Sequence, residues 1–316
     1  MPHQKNNSIR NAILGLATGD ALGVPVEFET REYLKENPVT DMMGYGTFNQ
    51  PPGTWSDDTS LALCLLEVMG RNLTLQEVAS NFQSWLFENK FTPHGEVFDV
   101  GNGTLQAINR LREGVAPEKA GSTDEYSNGN GSLMRILPLV FHLKQIEEKS
   151  ERFKLVQNFS SITHGHIRSS LACFYYLEFA SFLCEGKTPA VSYDAANASL
   201  VELAREITMA SEELQHFDRV LNKNIAEVPE EDIHSSGYVI DTLEASIWCL
   251  LNRNSYREAV LKAVNLGMDT DTTAAVTGGL AGLHYGAENI PSDWLAQLAG
   301  LDEIEKMIVE CNLEYS

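Results

Sequence analysis

Basic residues are scarce in this chain. Its 316 residues include 23 Lys and Arg against 44 Asp and Glu, a formal net charge of −21. That imbalance repels nucleic acid and anionic membrane surfaces, so neither is expected as a partner. Most of the acid excess reads as solvated surface, and part of it is available to hold cations. Cysteine is sparse too. Cys64, Cys173, Cys184, Cys249 and Cys311 are scattered, with no close pair and no zinc-type spacing. Four of them lie in apolar stretches and read as small core residues, and an odd count fits a reducing compartment. Long apolar runs are missing: none approaches the roughly 20 residues needed to span a bilayer. The polar start, Met1 to Asn11, has no signal-peptide core. The expectation is a soluble, cytoplasmic protein.

Strand-like alternation is equally hard to find, and helical periodicity takes its place. Ile9, Ala12, Ile13, Leu16 and Ala17 fall at helix spacing, as do Leu61, Cys64, Leu65, Val68 and Met69. Further amphipathic stretches run near 75–89, 103–113, 151–161, 167–184, 195–209, 236–252, 256–265 and 271–284. Between them lie segments rich in Gly, Asn, Pro and Ser, at 37–56, 92–103, 121–131 and 227–237. Two of these are too long to be connectors alone, a length at which loops in compact domains are often functional. With 43% hydrophobic residues the chain has ample material for a large core. No linker-like shift divides it, so the expectation is one all-α domain over 1–316.

Two acidic clusters share a grammar of carboxylate pair, hydroxyl neighbours and helix start. In the first, Ser56 stands as an N-cap with Asp57 and Asp58 in the opening turn. Acids there complement the helix dipole, worth about 0.3–1 kcal/mol each, and one would need no further explanation. Two adjacent acids flanked by hydroxyls also make a compact set of hard oxygen ligands. In the second cluster, Asp269, Asp271 and Thr272 precede a helix carrying Gly278, Gly279 and Gly282. Those glycines cost helix stability at roughly 1 kcal/mol each, which points to very close packing against another backbone. Bringing both clusters together gathers four carboxylates, whose repulsion requires cations. An all-oxygen donor set favours two Mg2+ or Mn2+ ions over zinc.

Other candidates lie between the clusters. Gly101-Asn102-Gly103-Thr104 and Asn128-Gly129-Asn130-Gly131-Ser132 each open a helix, where free N–H groups suit a phosphate, although a turn and cap explains either alone. Neither continues into the Lys-Ser/Thr of a P-loop. Asp20 and Asp99 are acids in apolar company, each readable as a general base or as a structural or capping acid. His164-Gly165-His166 reads as a turn with two hydrogen-bonding imidazoles ahead of a metal site. Tyr238 reads as a core aromatic or a stacking face for sugar or adenine. Arg135, in Ser132-Leu133-Met134-Arg135, is either a phosphate-orienting group or half of a surface salt bridge.

Taken in order, these segments resemble the ADP-ribosylglycohydrolase family, including the bacterial dinitrogenase-reductase-activating glycohydrolases. The resemblance runs through Gly19-Asp20-Ala21-Leu22-Gly23 with Glu27, then Gly53 to Thr59, then Phe98-Asp99-Val100-Gly101. It continues through Gly129 to Arg135, Thr163-His164, Gly237-Tyr238-Val239 and Asp269 to Thr273. It implies an all-helical fold and a dinuclear magnesium or manganese centre held by Ser56, Asp57, Asp58, Asp269, Asp271 and Thr272. Ser56 stands where the family more often has Thr. Asp99 matches the acid implicated in the arginine-directed branch, and Glu27 the glutamate held catalytic in the serine-directed branch. Gly101, Asn102, Asn130, Gly131, Ser132, Met134, Arg135, His164 and Tyr238 match regions that contact ADP-ribose. The implied activity is removal of ADP-ribose from modified protein side chains, arginine ahead of serine, with ADP-ribose as product. A small-molecule conjugate as substrate, or a non-catalytic ADP-ribose reader, are the competing readings.

Overall fold

The computed structural model describes residues 8–315. The first part of the chain forms α1 (Ser8–Gly23), α2 (Arg31–Glu36), α3 (Asp57–Met69), α4 (Leu75–Glu88) and α5 (Asn102–Arg112). The middle forms α6 (Val140–Leu143), α7 (Lys149–Ser161), α8 (Ile167–Cys184), α9 (Pro189–Glu206), α10 (Ser211–Gln215) and α11 (Asp218–Leu221). The rest forms α12 (Val239–Leu251), α13 (Tyr256–Val264), α14 (Thr270–Tyr285), α15 (Ser292–Gln297) and α16 (Leu301–Tyr315). Among the described residues there is no strand, only two isolated bridges, Ser122 with His164 and Gly129 with Tyr238. The all-α expectation holds. No helix among them is long and apolar enough to cross a membrane.

Two departures from the expected helices have physical causes. α9 starts at Pro189, ahead of the expected 195, because Thr188 accepts from Val191 N–H and proline takes the first turn, where its missing N–H costs nothing. α16 was not expected at all. It buries Ile304, Ile308 and Cys311 but leaves Val309 and Leu313 exposed, and the outward apolar residues blur its stripe.

The centre of the fold is the antiparallel contact of α1 with α14. α14 is buried from Thr270 to Leu283. A Cβ on Gly15 would lie 2.3 Å from the Gly278 carbonyl oxygen, and one on Gly282 would lie 2.1 Å from that of Asn11. The same row continues with Gly19 against Ala274 and Gly23 against Asp271. The expected close approach is therefore real, and its partner is the glycine ridge of α1, spaced by four residues. Gly279, on another face, leaves room for Leu137 and the Tyr176 hydroxyl. The register sets the C-terminal end of α1 beside the start of α14, so the acids around Asp20 and Asp271 meet.

Candidate active site

Three helix ends build the acidic floor. Ser56 caps α3, its hydroxyl accepting from Asp58 N–H. Asp20, fully buried on α1, accepts from Ser56 N–H at 2.9 Å, Thr59 N–H at 3.0 Å and the Thr59 hydroxyl at 2.6 Å. Burial pushes its carboxyl up to about 6, against the pull of those bonds. Asp20 is thus the structural acid of its two readings: it holds the start of α3 rather than facing a ligand. Asp269 caps α14 without a side-chain bond of its own to the helix, and Asp271 accepts from Thr272 N–H at 2.8 Å. The Thr272 and Ser56 hydroxyls both reach Asp58 Oδ2 at 3.3 Å, joining the two clusters.

Glu27 and Asp99 close this floor from the side. Oxygens of Glu27, Asp99 and Asp271 lie within 4.8 Å of one another. Glu27, Asp57, Asp58 and Asp271 are all buried. Burial comes first in raising each carboxyl, and the neighbouring acids add to it; for Glu27, Asp99 and Asp269 help push it up to about 10. Asp99 is also raised by burial but held back by hydrogen bonds with Asp271 and Glu27, and its bond to Glu27 helps to raise Glu27. No ion pair among the described residues involves any of these acids.

Glu27 Oε2, Asp58 Oδ1, Asp269 Oδ1 and Asp271 Oδ2 are buried without a hydrogen-bond donor. Buried carboxylate oxygens without partners are costly, and several pointing into one space fit hard divalent cations. Of the ligands expected from the sequence, Asp58, Asp269 and Asp271 carry such an oxygen. The structure adds Glu27 and Asp99, expected to be catalytic, to the oxygens nearest Asp271.

Above the floor opens a cleft of about 380 Å³. Glu27, Asp57, Asp99, Asp269 and Thr272 form its acidic wall. The opposite wall carries Gly101 to Thr104, Gly129 to Gly131, Met134 and His164. α5 begins there at Gly101 with no side-chain cap, leaving its first N–H groups open to the cleft. The glycines have a further cause. A Cβ on Gly131 would lie 2.7 Å from His164 Cε1, and on Gly103 3.3 Å from Nε2, so the imidazole fills the space side chains would take. Burial, with Arg135 nearby, lowers His164 to about 3, and Thr163 Oγ1 lies 2.8 Å from its Nδ1. It stays neutral at any physiological pH. His166 caps α8, accepting from Arg168 N–H, so this pair is the hydrogen-bonding turn expected.

Asn130 anchors the second glycine loop. Its amide donates to Asp269 Oδ2 and Thr242 Oγ1, and its backbone N–H to the Gly237 carbonyl. Three expected contacts fall outside the cleft, and two of them are buried. Arg135 is fully buried, donating to the Gly131 and Phe159 carbonyls over the Phe82 ring, so it is neither a surface ion pair nor free to meet phosphate. Ser132 is buried behind the loop, accepting from the Ser160 hydroxyl. Both hold the loop's shape.

Tyr238 faces an adjoining cleft of about 420 Å³ that shares Gly129 and Gly237 with the first. Its hydroxyl accepts from Arg168, which is itself held by Glu213 at 3.1 Å through two nitrogens. Arg168 was missed in the sequence, although the His164–His166 turn that positions it was noticed. Phe28, which lines the first cleft while 62% exposed, was missed also.

The ADP-ribosylglycohydrolase family model matches residues 1–315. The chain is 33% identical over 305 residues to the ADP-ribosylarginine hydrolase Tri1 of Serratia proteamaculans, covering 94% of this chain and 77% of that protein. It is 32% identical over 294 residues to the ADP-ribosyl-(dinitrogen reductase) glycohydrolase of Rhodospirillum rubrum, covering 91% and 88%. A solved structure titled ADP-ribosylglycohydrolase-related protein complex superposes with a TM-score of 0.81 at 30% identity, covering 99% of both chains.

Proposed function

The chain belongs to the ADP-ribosylglycohydrolase family, and from that premise we propose that it hydrolyses the bond between ADP-ribose and an arginine side chain of a modified protein. The observation that carries this reading is the convergence of Glu27, Asp99 and Asp271 beneath a glycine-walled cleft, with buried carboxylate oxygens lacking donors. The arginine acceptor follows the relatives whose names specify it.

In this reading Ser56, Asp57, Asp58, Asp269, Asp271 and Thr272 hold two divalent cations, Mg2+ or Mn2+. When bound, the ions supply Lewis acidity toward the ribose hydroxyls and water. The chain's own groups supply binding and proton transfer. N–H groups at Gly101, Asn102 and Gly103 donate to the pyrophosphate at the start of α5. Asn130, Gly131, Met134 and the neutral His164 shape the wall along the ribose, and Tyr238 offers a flat face in the adjoining cleft for adenine. Ser132 and Arg135 act indirectly, through the loop they brace.

Cleavage at the anomeric carbon builds oxocarbenium character, which a carboxylate-rich floor stabilises. The C–N bond breaks, a C–O bond forms to water, and one proton must travel from that water to the departing arginine nitrogen. Asp99 is the group assigned to carry it, being half-buried at the cleft where Glu27 is buried. Glu27 stands beside it as the neighbour that shares the proton.

The test is ADP-ribose release from arginine- and serine-modified peptides, with magnesium, manganese or chelator. Release from the arginine peptide, lost in chelator and restored by either metal, is expected. Absence of metal-stimulated release from both peptides overturns the proposal.

A further inference from the structure

Phe28 lines the cleft, and a chain of ring contacts runs from it through Phe48 to Phe98, an arrangement that core packing does not require. Phe28 directly follows Glu27 and is 62% exposed, with its backbone at φ +68°. Phe98 directly precedes Asp99, which is held at φ +51°. Phe48 bridges them, its ring centroid 6.3 Å from Phe28 and 5.2 Å from Phe98. Since the Glu27 and Asp99 oxygens lie within 4.8 Å of each other, the two acids and three rings close a circuit.

Specific contacts hold this circuit in place. Thr47 donates from its N–H to the Pro25 carbonyl at 2.9 Å and from its hydroxyl to that of Glu27 at 2.7 Å. Gly46 lies so close that a Cβ would sit 1.6 Å from Pro25 O. The loop carrying Phe48 is therefore fastened to the backbone beside Glu27. Phe28 N–H donates to Met268 O at 2.7 Å, which fastens the same backbone to the loop before Asp269. Left-handed backbone at non-glycine residues is strained and persists where surrounding structure enforces it, commonly at functional sites.

We propose that Phe28, Phe48 and Phe98 form the acceptor subsite, a rim of aromatic faces that receives the guanidinium and methylene stem of the modified arginine. This rests on the arginine-directed reading and assigns the part of the site that carries the preference. The occupant follows from charge and shape. No lysine or arginine lines the cleft among the described residues, and the acids lie just inside the rim. A flat cation on a thin apolar stem is attracted by ring faces and carboxylates together. A serine-linked conjugate presents neither the cation nor the stem.

The experiment compares the full-length chain with Phe48→Leu and Phe48→Tyr, on an ADP-ribosylated arginine peptide with magnesium or manganese present. Phe48→Leu keeps apolar bulk but removes the ring face, so KM is expected to rise about tenfold, while Phe48→Tyr stays close to the unchanged chain. Affinity for ADP-ribose, measured by calorimetry on the same proteins, is expected to be retained in both. An unchanged KM in Phe48→Leu overturns the subsite, as does a parallel loss of ADP-ribose affinity, which assigns the rings to the nucleotide instead. If the unchanged chain itself releases nothing from the arginine peptide, the functional reading fails and the subsite with it. Cleavage with a ring-insensitive KM removes the subsite alone.

Discussion

Asn130 donates its amide to Asp269 Oδ2 at 2.9 Å across 139 positions of sequence, and the same nitrogen reaches Thr242 Oγ1. One side chain thereby links the glycine loop, α12 and the second acidic cluster. Groups that orient a ligating carboxylate typically matter to metal affinity or activity by about 10–100-fold. Asn130→Ala is therefore expected to weaken divalent-ion binding or turnover by about that factor, read by metal titration and initial rates. Unchanged behaviour in both would remove Asn130 from the supporting frame.

Asp99→Asn keeps size and most polar contacts but cannot accept the proton. Loss of a general acid or base costs about 10²–10⁴-fold. Single-turnover assays should register a fall of that order, with bound metal unchanged by elemental analysis. Full turnover at full metal content would sink the assignment.

The acid cluster makes stability depend on pH in a direction opposite to ordinary paired carboxylates. Glu27, Asp57, Asp58 and Asp271 are raised in the fold, so the folded chain binds more protons than the unfolded one. Their stabilising contribution is complete below the usual carboxylate range and is lost as pH rises toward about 10, the value for Glu27. In chelator, the melting temperature is expected to fall steadily from about pH 5 upward. Cations favour the ionised forms, so magnesium or manganese should flatten that slope. A chelated protein whose melting temperature is flat over this range contradicts the account.

The α1–α14 contact is testable by a single methyl group. A Cβ on Gly278 would lie 2.2 Å from the Gly15 carbonyl oxygen, so one backbone has to move. Gly278→Ala should destabilise by at least about 3 kcal/mol, the upper range for overpacking. Denaturant melts decide it. A cost under about 1 kcal/mol would mean that the helices separate more easily than their packing indicates.

The acidic helix starts were readable because their grammar is local. Ser56 with Asp57 and Asp58, and Asp269 with Asp271, mark helix starts, and the glycines of α14 advertised close packing before any partner was visible. What was not readable depends on distance in sequence. Asp20 looked like a possible base until its oxygens proved occupied by α3, 36 residues away. Arg135 carries no sign in its neighbours that its guanidinium turns inward to Gly131 and Phe159. Phe28 looked like any apolar residue, and only its 62% exposure beside Glu27 sets it apart. α16 escaped because exposed Val309 and Leu313 interrupt its otherwise charged outward face.

The hydroxyl of Thr272 meets Asp58 across 214 positions, and α1 sets the register between their helices. On the ribosome, then, the α3 acids emerge long before those of α14. Until the later helix docks on the glycine ridge, Asp57 and Asp58 remain ordinary solvated carboxylates. On the proposed reading of the site, the cation-binding arrangement is therefore assembled only late in folding.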